Sequence, residues 1–147
     1  MKKFHFTAER LLKWRRIEVR LAESAYEQAL RAVQQAERKL TESFQEEAAL
    51  ASFLSEQSPL TALDLSLVKP ARSAFAAQRR KLDDAVAAAR RHVDATASIV
   101  TTGKTRVKVL ERLRDDRHRT WMNAADKELA LATEESHRAM RLRNERS

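Results

Sequence analysis

The chain has 147 residues, of which 34% are charged and 5% aromatic, with one Gly, two Pro, no Cys and a net charge of +8. So little Gly and Pro leaves few turns, and the wealth of Ala, Arg, Leu, Glu and Lys is the composition of long helices, which excludes a globular α/β domain with a thick core. The absence of cysteine excludes disulfides and thiolate metal sites and fits a reducing compartment.

The opening, Met1-Lys2-Lys3-Phe4-His5-Phe6, is basic, but Glu9 and Arg10 interrupt any apolar core, so it does not read as a secretory signal. No run approaches the roughly 18 apolar residues of a spanning helix. The expectation is a soluble cytoplasmic protein.

From Ala8 to Leu54 apolar residues recur in a 4-3 pattern. One stripe is Leu12, Val19, Tyr26, Val33, Leu40, Glu47 and Leu54; its companion is Ala8, Arg15, Ala22, Ala29, Ala36, Ser43 and Leu50. That period keeps a narrow stripe of a helix facing a partner helix, and the Ala-rich companion lets the partner come close. The spacing predicts a first helix over about 7–54, with Thr7 as its N-cap and Glu9 in the first turn, where a carboxylate suits the helix dipole.

Residues 55–70 break the pattern. Ser58-Pro59 reads as a cap and first helical residue, and Leu60, Leu63 and Leu67 predict a short helix or turn at the tip. Pro70 then opens a second helix over about 71–141. Its stripe is Val86, Val93, Val100, Val107, Arg114, Trp121 and Glu128, with Ala89, Thr96, Gly103, Leu110, Arg117, Ala124 and Leu131 as companions.

The expected fold is therefore all-α: two long helices in one elongated antiparallel coiled-coil hairpin covering 1–147. A turn centred near residue 64 opposes residue i to about residue 129 − i, placing Val19 near Leu110 and Glu47 near Leu82. The second helix is the longer, so residues after about 125 project past the start of the first.

Charge is polarised along this hairpin. Residues 1–40 hold 10 Lys/Arg against 5 Asp/Glu, residues 41–70 hold 1 against 5, and residues 71–147 hold 18 against 11, giving +5, −4 and +7.

No catalytic constellation emerges. His5, His92, His118 and His137 are spread along the helices and read as solvated surface residues, so no metal or cofactor is expected. Gly103-Lys104-Thr105 lacks the preceding Gly and strand of a phosphate loop, so the chain is not read as an enzyme. The stronger candidate is a basic collar of Arg10, Lys13, Arg15, Arg16 and Arg20 with Arg112, Arg114, Arg117 and Arg119 opposite. Read blandly, it is a solvated face with intrahelical ion pairs. As a functional surface it suits an acidic protein partner better than nucleic acid, because no stacking aromatics or reading helix accompany it.

Phe4, Phe6, Trp14 and Trp121 belong to the same end; Trp121 fits seam packing against Ala8, Leu11 and Phe4, while Phe4 and Phe6 precede the helix without an obvious internal partner, which makes at least one of them a candidate for contact with another protein. At the tip, Phe44, Phe53, Leu60, Leu63, Leu67 and Phe75 form an apolar cluster that either caps the coil or docks a partner.

These residues together resemble the FliJ family of flagellar type III export, which is related to the stalk proteins of virulence secretion systems. The resemblance rests on Phe4-x-Phe6 followed by Leu11-Leu12-x-x-Arg15, on the Ala/Leu heptads of the first helix, and on Val109-Leu110-Glu111-Arg112-Leu113 before a charged helical end. It implies a stalk-like coiled coil whose end carrying both termini binds the hexameric export ATPase. Phe4, Phe6, Arg10, Lys13, Arg16, Arg114, Arg117 and Trp121 are then the ring-contact candidates. It further implies contact with the export-gate membrane protein, with Phe75 and Leu82 as candidates, and escort of export chaperones. The chain would sit in the cytoplasm, peripheral to the inner membrane through its partners only. The rival readings are a basic coiled coil that binds nucleic acid and a generic cytoplasmic scaffold that dimerises through its heptads.

Overall fold

The computed structural model describes residues 3–57 and 59–146. It is all-α: helix α1 spans Glu9–Glu56 and helix α2 spans Ala62–Glu145, packed on each other as a helical hairpin. Among the described residues there is no strand, and no helix is long and apolar enough to cross a membrane.

Helix α1 contains no Gly or Pro, so nothing interrupts its hydrogen-bond ladder. Its entry differs from expectation. Leu12 N–H donates to the Ala8 carbonyl at 2.9 Å, and Glu9 N–H donates to the Phe6 carbonyl at 3.2 Å. Thr7 therefore lies in the turn ahead of the helix instead of capping it. The reason is Phe6, only 6% exposed, whose burial holds the chain in that turn.

Both stripes expected for α1 are covered: each of their residues from Ala8 to Leu54 is buried or half-buried. Only Leu12, Ala29 and Ser43 are fully buried among them. A fully buried Leu contributes about 1.5–3 kcal/mol, so a seam of half-covered residues holds by many modest terms spread along its length. The α2 stripe is likewise covered from Val86 to Trp121, with Ala89, Thr96, Gly103 and Leu110 as companions.

The companion positions leave the seam beyond Leu110, and the main stripe leaves it beyond Trp121. Arg117, Ala124, Glu128 and Leu131 are exposed, and Ala125 is buried in their place. An α-helix turns every 3.6 residues, so a strict seven-residue register drifts across the face until the contact moves to the next position.

Of the short helix or turn expected at the tip, the described residues show no short helix between α1 and α2, and Ser58, one half of the expected Ser58-Pro59 cap, lies outside the described residues. Helix α2 begins at Ala62, not at 71, and Pro70 lies inside it. The start is set by a capping box. Asp64 N–H donates to Thr61 Oγ1 at 3.2 Å, while Thr61 N–H donates back to the Asp64 carboxylate at 2.8 Å. Leu65 N–H closes the first turn on the Thr61 carbonyl. Pro70 offers no N–H to the Ser66 carbonyl, a defect of about 3 kcal/mol against Ala in a helix interior.

The packing divides the chain into two compact units. One comprises Met1–Glu18 with Gly103–Ser147 and the other Val19–Thr102, so α1 and α2 each contribute to both. In the Val19–Thr102 unit, Glu37 pairs with Arg90 at 2.7 Å and Glu47 with Arg79 at 3.5 Å. The expected pairing put their partners near residues 92 and 82, so α2 is displaced by two to three residues. Arg79 also lies over the Phe44 ring, 5.3 Å from its centroid. Ala29 and Val86 are the buried apolar residues of this unit, and Ser43 and Thr96 the buried polar ones. Thr96 Oγ1 donates to the His92 and Val93 carbonyls, whereas Ser43 Oγ has no partner.

Candidate functional site

The unit formed by Met1–Glu18 and Gly103–Ser147 gathers the aromatic and basic candidates. Its buried apolar residues are Phe6, Leu12 and Ala125. The segment before α1 lays Phe4 against α2: its ring meets His118 edge-on at 4.9 Å and Trp121 at 5.9 Å. His118 and Trp121, three residues apart on one face of α2, are 5.8 Å apart. Edge-to-face rings at such distances contribute about 0.5–1.5 kcal/mol beyond their buried area. The Phe4–Trp121 contact is the one expected of Trp121, His118 is a further partner that sequence reasoning did not supply, and together they tie the start of the chain to α2.

Across the same unit Arg16 donates to Glu111 at 2.7 Å, joining α1 to α2. Arg15 pairs with Glu18 at 2.7 Å and lies 4.9 Å from the centroid of the Trp14 ring. Arg114 is half-buried with its Nε 3.7 Å from Asp115, and Arg119 is 3.9 Å from Asp116.

These contacts sort the eight ring-contact candidates. Arg10, Lys13 and Arg117 are exposed to solvent. Phe4 and Trp121 are half-buried in the same unit. Arg16 and Arg114 are partly committed to carboxylates of the chain itself. Phe6 is corrected: at 6% exposure its side chain belongs to the interior and has no face for a partner. His118 is exposed, as expected, but its ring contacts with Phe4 and Trp121 are additional to the sequence reading, as is the Arg15 guanidinium over Trp14, itself 53% exposed. The i, i+3 spacing of His118 and Trp121 was the available signal.

Past Ala125 no described residue covers α2. Every described residue from Asp126 to Arg146 is exposed, including Leu129, Leu131, Met140 and Leu142.

The two gate candidates lie in the Val19–Thr102 unit, and both are half-buried. Phe75 lines an open groove of about 360 Å³ at the tip, with Leu50, Leu54, Leu60, Leu65 and Val68 as its other large apolar walls. Leu82 lies on α2 outside that groove.

Among the described residues no three His, Asp or Glu side chains come close enough to hold a metal ion. The chemistry this arrangement offers is association: accessible ring edges and fixed cations on a helical end. Comparison with family models, with curated proteins and with solved structures finds no match to this chain.

Proposed function

We propose that the chain is a non-enzymatic, stalk-like coiled coil of a type III protein export apparatus, in keeping with its resemblance to the FliJ family. Its Phe4–Trp121 end binds the hexameric export ATPase, the tip region around Phe75 contacts the export gate, and the protein escorts export chaperones at the cytoplasmic face of the membrane. The observation that carries this reading is the grouping of exposed Arg10, Lys13 and Arg117 in one unit with the half-covered rings of Phe4 and Trp121. Aromatic anchors surrounded by charge suit a protein interface, in which the rings supply affinity and the cations steer encounter.

The test is co-purification with an export ATPase at low and high salt. The triple variant Arg10→Glu, Lys13→Glu, Arg117→Glu is expected to lose the salt-sensitive association with its helical signal intact. All three residues are exposed, whereas Arg16 is left unchanged to preserve its bond to Glu111. Wild-type binding by the triple variant overturns the assignment. Retention of random duplex DNA with a steep salt dependence, without ATPase binding, replaces it by the nucleic-acid reading.

A further inference from the structure

The stretch 131–142 of the uncovered run of α2 has a leucine at each end, and its two glutamates precede its two arginines. From Leu131 to Leu142 the order is Leu131, Ala132, Glu134, Glu135, then Arg138, Ala139, Arg141, Leu142. All of these residues are helical and exposed. Leu131, Glu135, Arg138 and Leu142 are spaced 4-3-4, which aligns them on one face of the helix.

We infer that this face pairs with the same face of a second copy of the chain, antiparallel and around a two-fold axis between residues 136 and 137. In that register Leu131 meets the partner's Leu142 and Glu135 meets the partner's Arg138, each twice by symmetry. The flanking positions agree. Glu134 falls beside the partner's Arg141 on one side of the seam, and Ala132 beside the partner's Ala139 on the other. No other orientation does this, since parallel pairing sets Glu135 on Glu135 and Arg138 on Arg138.

Apolar area alone would not choose an occupant for this face. The charge inversion does. Residues 126–135 hold four Asp/Glu against one Lys, a net of −3, and residues 136–146 hold four Arg against one Glu, a net of +3. Only a helix of inverted polarity complements both halves, and an antiparallel copy is such a helix. An isologous contact of this kind closes on itself, giving a dimer and no longer assembly.

The seam is short, with leucine layers at its ends and ion pairs between them. Desolvating an ion pair costs about as much as its attraction returns, so the Glu135–Arg138 layers set register and orientation more than affinity. The long Arg stems cover the seam while their heads reach water. Within one chain Arg138 reaches Glu134 only at 3.9 Å, with both side chains at least 66% exposed. Such a contact is too weak to hold Arg138 away from the partner's Glu135. The dimer is therefore weak and concentration-dependent. This inference does not depend on the stalk reading; it makes the self-paired form a competitor of any partner helix that uses the same face.

The experiment is sedimentation of the 147-residue chain over a range of concentrations, with two charge variants. Glu134→Arg with Glu135→Arg makes the face entirely basic; Arg138→Glu with Arg141→Glu makes it entirely acidic. Glu and Arg have similar helix propensities, and these positions are exposed, so the fold is retained. The wild type is expected to pass from monomer to dimer with concentration, each variant alone to stay monomeric, and an equimolar mixture to form the dimer again. A wild type that stays monomeric throughout, a variant that dimerises by itself like the wild type, or a mixture that fails to pair overturns the proposal.

Discussion

Arg16 of α1 and Glu111 of α2, ninety-five residues apart in the chain, share a hydrogen-bonded ion pair of 2.7 Å. The guanidinium and carboxylate are 43% and 37% exposed, so solvent screens much of their attraction. A double-mutant cycle with Arg16→Ala and Glu111→Ala is expected to return a coupling of about 0.2–1 kcal/mol that shrinks with salt. No coupling at low salt contradicts the pairing.

Ser43 is 2% exposed in the seam and its hydroxyl has no partner. A buried unsatisfied donor costs about 1–3 kcal/mol. Ser43→Ala keeps the backbone helical and removes the orphan, so thermal unfolding is expected to show a gain of roughly 1 kcal/mol. A loss of stability reveals a partner for the hydroxyl.

Pro70 lies inside α2, where it leaves the Ser66 carbonyl without its helical donor. Pro70→Ala restores the donor, and chemical unfolding is expected to show a gain of about 1–3 kcal/mol. A variant less stable than the wild type indicates that the proline holds the tip in shape.

Asp64 is held below the ordinary aspartate range by the Thr61 hydroxyl, then by the Thr61 backbone N–H, with desolvation opposing slightly. The folded state therefore releases this proton more readily than the unfolded state. Its contribution is present at pH above the ordinary aspartate value and fades as pH falls through the lower folded value. Asp64→Asn, whose amide oxygen still accepts a hydrogen bond, is expected to unfold more easily than the wild type at neutral pH. The difference closes in acid, as measured by unfolding midpoints across pH. A difference that persists in strong acid means the carboxylate charge is not what the cap uses.

Most of the hairpin was legible in the sequence because one period governs it. The stripes through Leu12, Val19, Tyr26 and Val33, and through Val86, Val93 and Val100, are the covered ones. Local and periodic signals compete at the tip: Thr61-x-x-Asp64 is a capping box and starts α2, whereas the preference of proline for a first helical turn points to Pro70. The exchange of Ala124 for Ala125 was hidden because a heptad count carries no information about accumulated drift. At the candidate site, the cations Arg10, Lys13 and Arg117 were legible as surface charge. The burial of Phe6 and the stacking of His118 depend on how the segment before α1 folds back, which no repeat encodes.

The hairpin itself, on which the partner-binding end depends, is tested most directly by a distance between labels on Glu37→Cys and Arg90→Cys. The native chain has no cysteine, and these residues form an ion pair at 2.7 Å between α1 and α2. Pulsed spin-label measurement is expected to give a short distance that survives dilution with unlabelled chain, since both labels lie on one molecule. A long distance, or a short one that vanishes on dilution, contradicts a hairpin closed within a single chain.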